Sequence, residues 1–154
     1  MIEIRLPRVA DEVGCRTLAA AVIGEERAGA FIRSHLERHH LIVAEGLGEV
    51  VGFLAYRIDW FQCTFVSLVV VRDDFRRKGI GSALVEAALK FCQQHGYLKI
   101  TLDTFMEREP AIKLFEKFRF HHNRTRKVGG KELMYFYLDL YVGEDRKKHG
   151  WAKE

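Results

Sequence analysis

Arg76, Arg77 and Lys78 run directly into Gly79 and Gly81, and an apolar helical stripe begins at Ile80. That order of residues suits the binding of an anion. A helix start leaves main-chain N–H groups unpaired and carries a partial positive charge. Glycines remove the side chains that would hold a ligand away from those groups. The three cations add charge at the mouth, so the stretch predicts a phosphate or pyrophosphate site. A tight turn with solvated cations is the bland alternative for an isolated G-x-G.

The elements on either side favour the site. Thr64–Val71 is β-branched and nearly all apolar, which predicts a central strand covered on both faces. After the glycines, Ile80, Ala83, Leu84, Ala87, Ala88, Phe91 and Cys92 recur at helical spacing over about Gly79–His95, and Gly96 closes that helix. The Walker pattern G-x-x-x-x-G-K-[ST] is absent. A Rossmann fingerprint is excluded because Leu84 stands where its third glycine belongs.

Elsewhere, Ile2–Leu6 alternates as a strand that stops at Pro7. Val9–His40 is helical with a break near Gly24. Leu41–Glu45 and Val50–Ile58 form a hairpin around Gly46–Glu49. Leu98–Thr104 is a strand, Glu109–Phe118 a short helix with Pro110 in its first turn, and Phe120–Val128 with Lys131–Leu140 a closing hairpin. The order β-α-α-β-β-β-α-β-α-β-β is mixed α/β. Residues 1–142 are expected to form one domain and 143–154 a polar tail.

At 154 residues the chain can bury a core without staples, and a charge of +4 suits an anionic ligand but is too small to name nucleic acid. Three scattered cysteines, Cys15, Cys63 and Cys92, predict reduced thiols in the cytoplasm. Charges from Glu3 onward predict no signal peptide, and no apolar run is long enough to span a bilayer. Neither a nucleic-acid nor a membrane partner is expected. The adjacent pairs His39–His40 and His121–His122 point in different directions, so no metal is expected. Trp60 and Phe61 either line an acceptor pocket or cap the core.

Residues 69–89 resemble the acetyl-coenzyme A signature [RQ]-x-x-G-x-[GA] of the GNAT superfamily of N-acetyltransferases, matched by Arg76, Gly79 and Gly81. Ala111–Phe120 resembles the second family motif, A-x-x-L-Y-x-x-x-G-F. The resemblance covers roughly residues 1–141. It implies a GNAT fold: a central, mostly antiparallel sheet flanked by helices, with a β-α-β cofactor unit. It implies acetyl-coenzyme A as cosubstrate, with Arg76, Arg77, Lys78, Gly79, Ile80, Gly81 and Ser82 at the pyrophosphate. Val69 and Val71 would meet the pantetheine arm beside a bulge, and the Val70 amide would face the thioester carbonyl.

The second motif departs from the family pattern. Phe115 stands where many members carry the tyrosine that protonates the leaving thiolate, and is expected beside the cofactor sulfur. Arg108 and Arg119 replace an asparagine and a glycine. A thiol of pKa near 8.5 that departs as thiolate at pH 7 forgoes only about 2 kcal/mol, so the reaction does not require that acid. No carboxylate stands near Phe65, where members often keep a base. Asp59 and Glu45 are candidates only by position, and no catalytic residue is assigned. The resemblance implies direct attack by a primary amine of a small molecule or protein, in a monomer or homodimer. The alternative is a non-catalytic acyl-coenzyme A binding or sensor module.

Overall fold

A computed structural model describes residues 1–59 and 62–140. The expected tail, and Trp60 with Phe61, lie outside the described residues. The elements are β1 (Ile2–Arg5), α1 (Glu12–Ile23), α2 (Glu25–Glu37), β2 (Leu41–Gly46), β3 (Glu49–Asp59), β4 (Cys63–Val71), α3 (Ile80–Gln94), β5 (Lys99–Phe105), α4 (Glu109–Lys117), β6 (His121–Val128) and β7 (Lys131–Asp139). The strands form a seven-stranded sheet in the order β1-β2-β3-β4-β5-β7-β6, mostly antiparallel with one parallel pair. The succession β4–α3–β5 is the expected strand-helix-strand unit. The chain divides into two compact units, one of Met1–Arg57 with Val66–Lys90, the other of Ile58–Phe65 with the residues from Phe91 onward.

In the first unit, β1 pairs antiparallel with β2 from Ile2↔Gly46 to Arg5↔Val43, and β2 pairs with β3 from Leu41↔Ala55. Gly24 separates α1 from α2. Its N–H closes α1 on the Ala20 carbonyl at 3.0 Å, and its carbonyl accepts from Ala28 at 3.1 Å. Cys15, Leu18 and Ala19 of α1 and Ala28 and Ile32 of α2 pack on Leu41, Val43, Phe53, Ala55 and Val70. Each large side chain buried this way stabilises by about 1.5–3 kcal/mol. This core fixes α2 against the middle of β4. On α3, the periodic stripe is the buried face: Ile80, Leu84, Ala88 and Cys92 are buried.

The entry to α1 is held by charge. Arg5 donates to both Asp11 oxygens at 2.8 and 2.9 Å and to Glu45 Oε1 at 2.7 Å. The Arg8 N–H donates to Asp11 Oδ2 at 2.6 Å. The Arg5 hydrogen bonds hold the Asp11 carboxyl below its usual range, against the opposing effect of burial.

In the second unit, β5 pairs with β7 from Lys99↔Asp139 to Phe105↔Leu133. β6 pairs with β7 across Gly129–Gly130, with a register shift between His122 and Arg124. Pro110 lies in the first turn of α4, as expected. Helix α3 ends at Gly96, where the Tyr97 N–H returns to the Cys92 carbonyl at 2.9 Å. None of Cys15, Cys63 and Cys92 is in a disulfide, and burial pushes the Cys15 thiol up to about 12.

Candidate active site

The loop between β4 and α3 is built from its own charges. The Arg72 N–H ties the end of β4 to the Val51 carbonyl at 2.8 Å. Its guanidinium is taken up by Asp74 at 2.7 Å and Glu49 at 2.9 Å. A short helical turn, Asp73–Phe75, then buries the Phe75 ring. Arg72 and Lys78 lie over that ring, 4.8 and 5.0 Å from its centroid. Arg76 is occupied too: Asp73 accepts from it at 3.0 Å and the Val71 carbonyl at 3.4 Å. Arg72 and Arg76 therefore brace the loop, while Arg77 and Lys78 keep their charges toward solvent.

Arg77 has φ 63° and Gly79 φ 78°, so two left-handed residues alternate along the loop. For Arg77 that conformation costs about 1–2 kcal/mol, a strain typical of binding loops. For Gly79 it explains the residue type. The Gly79 carbonyl accepts from Ala83 at 3.0 Å and so begins α3. The N–H groups of Arg77, Lys78, Gly79, Ile80 and Gly81 have no hydrogen-bond partner among the described residues. A Cβ added at Gly79 would meet nothing within 4 Å, so the space in front of these groups is open. The arrangement is a positively charged nest of main-chain donors.

Strand β4 departs from the sequence expectation. Val70 is buried, but Ser67, Leu68, Val69 and Val71 are only half-buried, so the strand is central without being covered on both faces. Ser67 touches His35 of α2, and Val70 belongs to the α1–α2 core. Thr64, Val66 and Val70 are the buried residues of the strand, and those between them keep partial exposure. The Val70 carbonyl lies so close to Gly52 that a Cβ there would stand 2.9 Å from the oxygen, a separation only glycine tolerates.

Residues 9–120 match the model of the acetyltransferase (GNAT) family. The chain belongs to that family. It is an N-acetyltransferase, which decides against the non-catalytic alternative. It is 31% identical over 129 residues to an N-alpha-acetyltransferase of Sulfurisphaera tokodaii, over 75% of this chain and 71% of the relative. Among solved structures it resembles Ard1 from Thermoplasma volcanium, with TM-score 0.82 and 22% identity over 92% of this chain and 99% of that one. It also resembles the NatC complex bound to Gag peptide and CoA, with TM-score 0.81 and 18% identity over 91% and 99%. These two likenesses are of fold.

The remaining GNAT positions are distributed as follows. Phe115 is 5% exposed and packs in the second unit against Phe120 and Phe136, with centroids 5.7 and 6.3 Å apart. Phe115→Tyr is therefore expected to bury a hydroxyl without a partner. It should lose about 1–3 kcal/mol of stability in chemical denaturation without a gain in turnover. Equal stability would show that the para position reaches water or a hydrogen-bond acceptor. Glu45 is engaged by Arg5 and so is not a free base. Asp59 ends β3 in the second unit. Among the described residues no group of three His, Cys, Asp or Glu is placed to hold a metal.

Two features escaped sequence reading. One is the Arg5–Asp11–Glu45 ion pair. The other is a histidine on a serine: His35 Nε2 lies 3.2 Å from Ser67 Oγ. A polar residue inside an apolar strand was its only sign.

Proposed function

We propose that this protein transfers an acetyl group from acetyl-coenzyme A to the α-amino group of a peptide or protein chain, in the cytoplasm. The observation that carries the reading is the likeness to an N-alpha-acetyltransferase at 31% identity over 71% of that relative's length. Elementary acid–base chemistry supports it. An α-amine of pKa about 7.7–8.0 is roughly one-tenth neutral at pH 7, whereas a lysine amine of pKa about 10.4 is neutral in fewer than one molecule in a thousand. With Glu45 occupied and no carboxylate on β4, the acceptor that needs the weaker base fits better. Among the described residues no helix is long and apolar enough to cross a membrane.

The donor fits the loop. The unpaired amides of Arg77–Gly81 would hold the pyrophosphate oxygens, with Arg77 and Lys78 adding charge and Ser82 beside them. The half-buried backbone at Val69 and Val71 would run along the pantetheine arm, and the Val70 N–H would meet the thioester carbonyl. Bound acetyl-coenzyme A supplies the activated acyl carbon; the chain's part is to orient it, exclude water and accept a proton.

The test is a panel of synthetic peptides with release of free coenzyme A thiol as the readout. Each peptide is offered with a free α-amine, and again Nα-blocked with an internal lysine. Thiol release is expected only with free α-amines. Turnover confined to the blocked, lysine-containing set, or to small polyamines, would overturn the reading.

A further inference from the structure

We infer that Ser67 and His35 form the proton-accepting pair of this enzyme, with the Ser67 hydroxyl facing the acceptor amine and His35 behind it. The inference rests on the acetyl-transfer reading above and supplies the base that reading lacks.

The hydrogen bonds settle the direction of the pair. His35 Nδ1 lies 2.8 Å from the Phe31 carbonyl oxygen, which can only accept. Nδ1 therefore carries the hydrogen. In the neutral ring Nε2 then carries a lone pair, and Ser67 Oγ, 3.2 Å away, must donate to it. This is the arrangement in which an imidazole, oriented by a third group, draws a proton from a hydroxyl. The Phe31 ring lies against the imidazole with centroids 4.2 Å apart, which fixes its plane.

Position supports the same role. Ser67 is half-buried on the central strand, against His35 of α2. Val70, whose amide is proposed to meet the acyl carbonyl, is three residues on. At about 3.3 Å per residue that is at most about 10 Å along the strand. Ser67 is thus the polar side chain of β4 nearest to the proposed reacting carbon on the α2 side.

The protons balance. The acceptor enters as an ammonium and gives one proton to Ser67 Oγ. The hydroxyl proton of Ser67 passes to His35 Nε2. A neutral amine, an unchanged hydroxyl and an imidazolium result. The freed lone pair makes the N–C bond as the C–S bond breaks and its electron pair leaves with sulfur; the nitrogen then gives its surplus proton to that thiolate, so that the product is an amide and coenzyme A departs as the thiol. The imidazolium then returns its proton to solvent. The charged or titratable groups around His35 are Arg38 capping the end of α2, Arg57 on β3 and His40 before β2. Burial first, and then Arg38 and Arg57, lower its pKa below the ordinary 6.5, against the Phe31 bond. The ring is therefore neutral and able to accept at pH 7.

The test compares wild type, His35→Gln and Ser67→Ala with the amine that turns over best. Wild-type kcat/KM is expected to rise with pH through an inflection below 6.5. In both variants it should fall on the order of 100-fold at pH 7, with the inflection moved to the acceptor's own value, near 7.7–8.0 for an α-amine. The double variant should be no slower than either single one. A second readout does not use the donor: the His35 imidazole resonances should titrate below 6.5 and shift when an α-amino peptide is added. Variants that keep the wild-type pH profile, or that lose only thermal stability, would overturn the pair, as would His35 resonances indifferent to the peptide. If the wild type prefers another amine, the peptide reading fails and the pair is tested with that amine.

Discussion

Arg5→Ala is expected to cost about 3–5 kcal/mol, a large share of the 5–15 kcal/mol that holds a typical domain together. The cause is what remains behind. The Asp11 side chain is only 6% exposed and the Arg5 side chain 10%, so removing the guanidinium strands a carboxylate in a site with little water. Glu45, which shares the same guanidinium, loses its partner as well. The melting temperature should fall on the order of 10 °C. Asp11→Asn should cost less, because it removes the charge together with the need to neutralise it. The pair also sets an acid limit. The folded-state pKa of Asp11 is depressed, chiefly by the Arg5 hydrogen bonds. Its contribution is therefore complete above the unfolded value near 3.9 and is lost as pH falls from there through the folded value. Wild type should lose more stability than Asp11→Asn on going from pH 5 to pH 2. Parallel pH curves for the two proteins would show that the ion pair contributes nothing net.

Gly79→Val is expected to abolish donor binding in a protein that still folds. With φ at 78°, a branched side chain strains the backbone by about 1–2 kcal/mol, which the fold can absorb. Among the described residues, chain neighbours apart, no atom lies within 4 Å of the added Cβ, so it meets no packing clash. The valine methyls would fill the space in front of the unpaired amides. Losing two charge-assisted hydrogen bonds at about 1.5–3 kcal/mol each corresponds to a fall of 100-fold or more in acetyl-coenzyme A affinity. Calorimetric titration together with circular dichroism checks both halves. A folded variant with unchanged affinity would place the pyrophosphate elsewhere. Thermal shifts give a simpler companion measurement, because saturation at 100 times the dissociation constant should stabilise wild type by about 2.7 kcal/mol and leave the variant unmoved.

The sequence by itself determined what depends on neighbours in the chain. The stripe from Ile80 to Cys92 specifies an amphipathic helix whatever packs on it. Gly79 and Gly81 after three cations specify an open, positive loop. Gly129–Gly130 between alternating strands specifies a hairpin. These signals repeat within a few residues, and together they pointed to the fold and to a loop able to take an anion. The tertiary structure decided what joins distant residues. Nothing near Arg5 announces Asp11 and, 40 residues away, Glu45. Nothing in the strand shows that Ser67 stands against α2, because side-chain type does not encode the register of a buried ladder. The left-handed turn at Arg77 falls on a residue with no preference for it, and only the anchors at Arg72 and Arg76 hold it there. The serine in β4 reads as a minor blemish in an apolar strand until α2, folded back over β4 by the core around Ile32 and Val70, sets His35 against it.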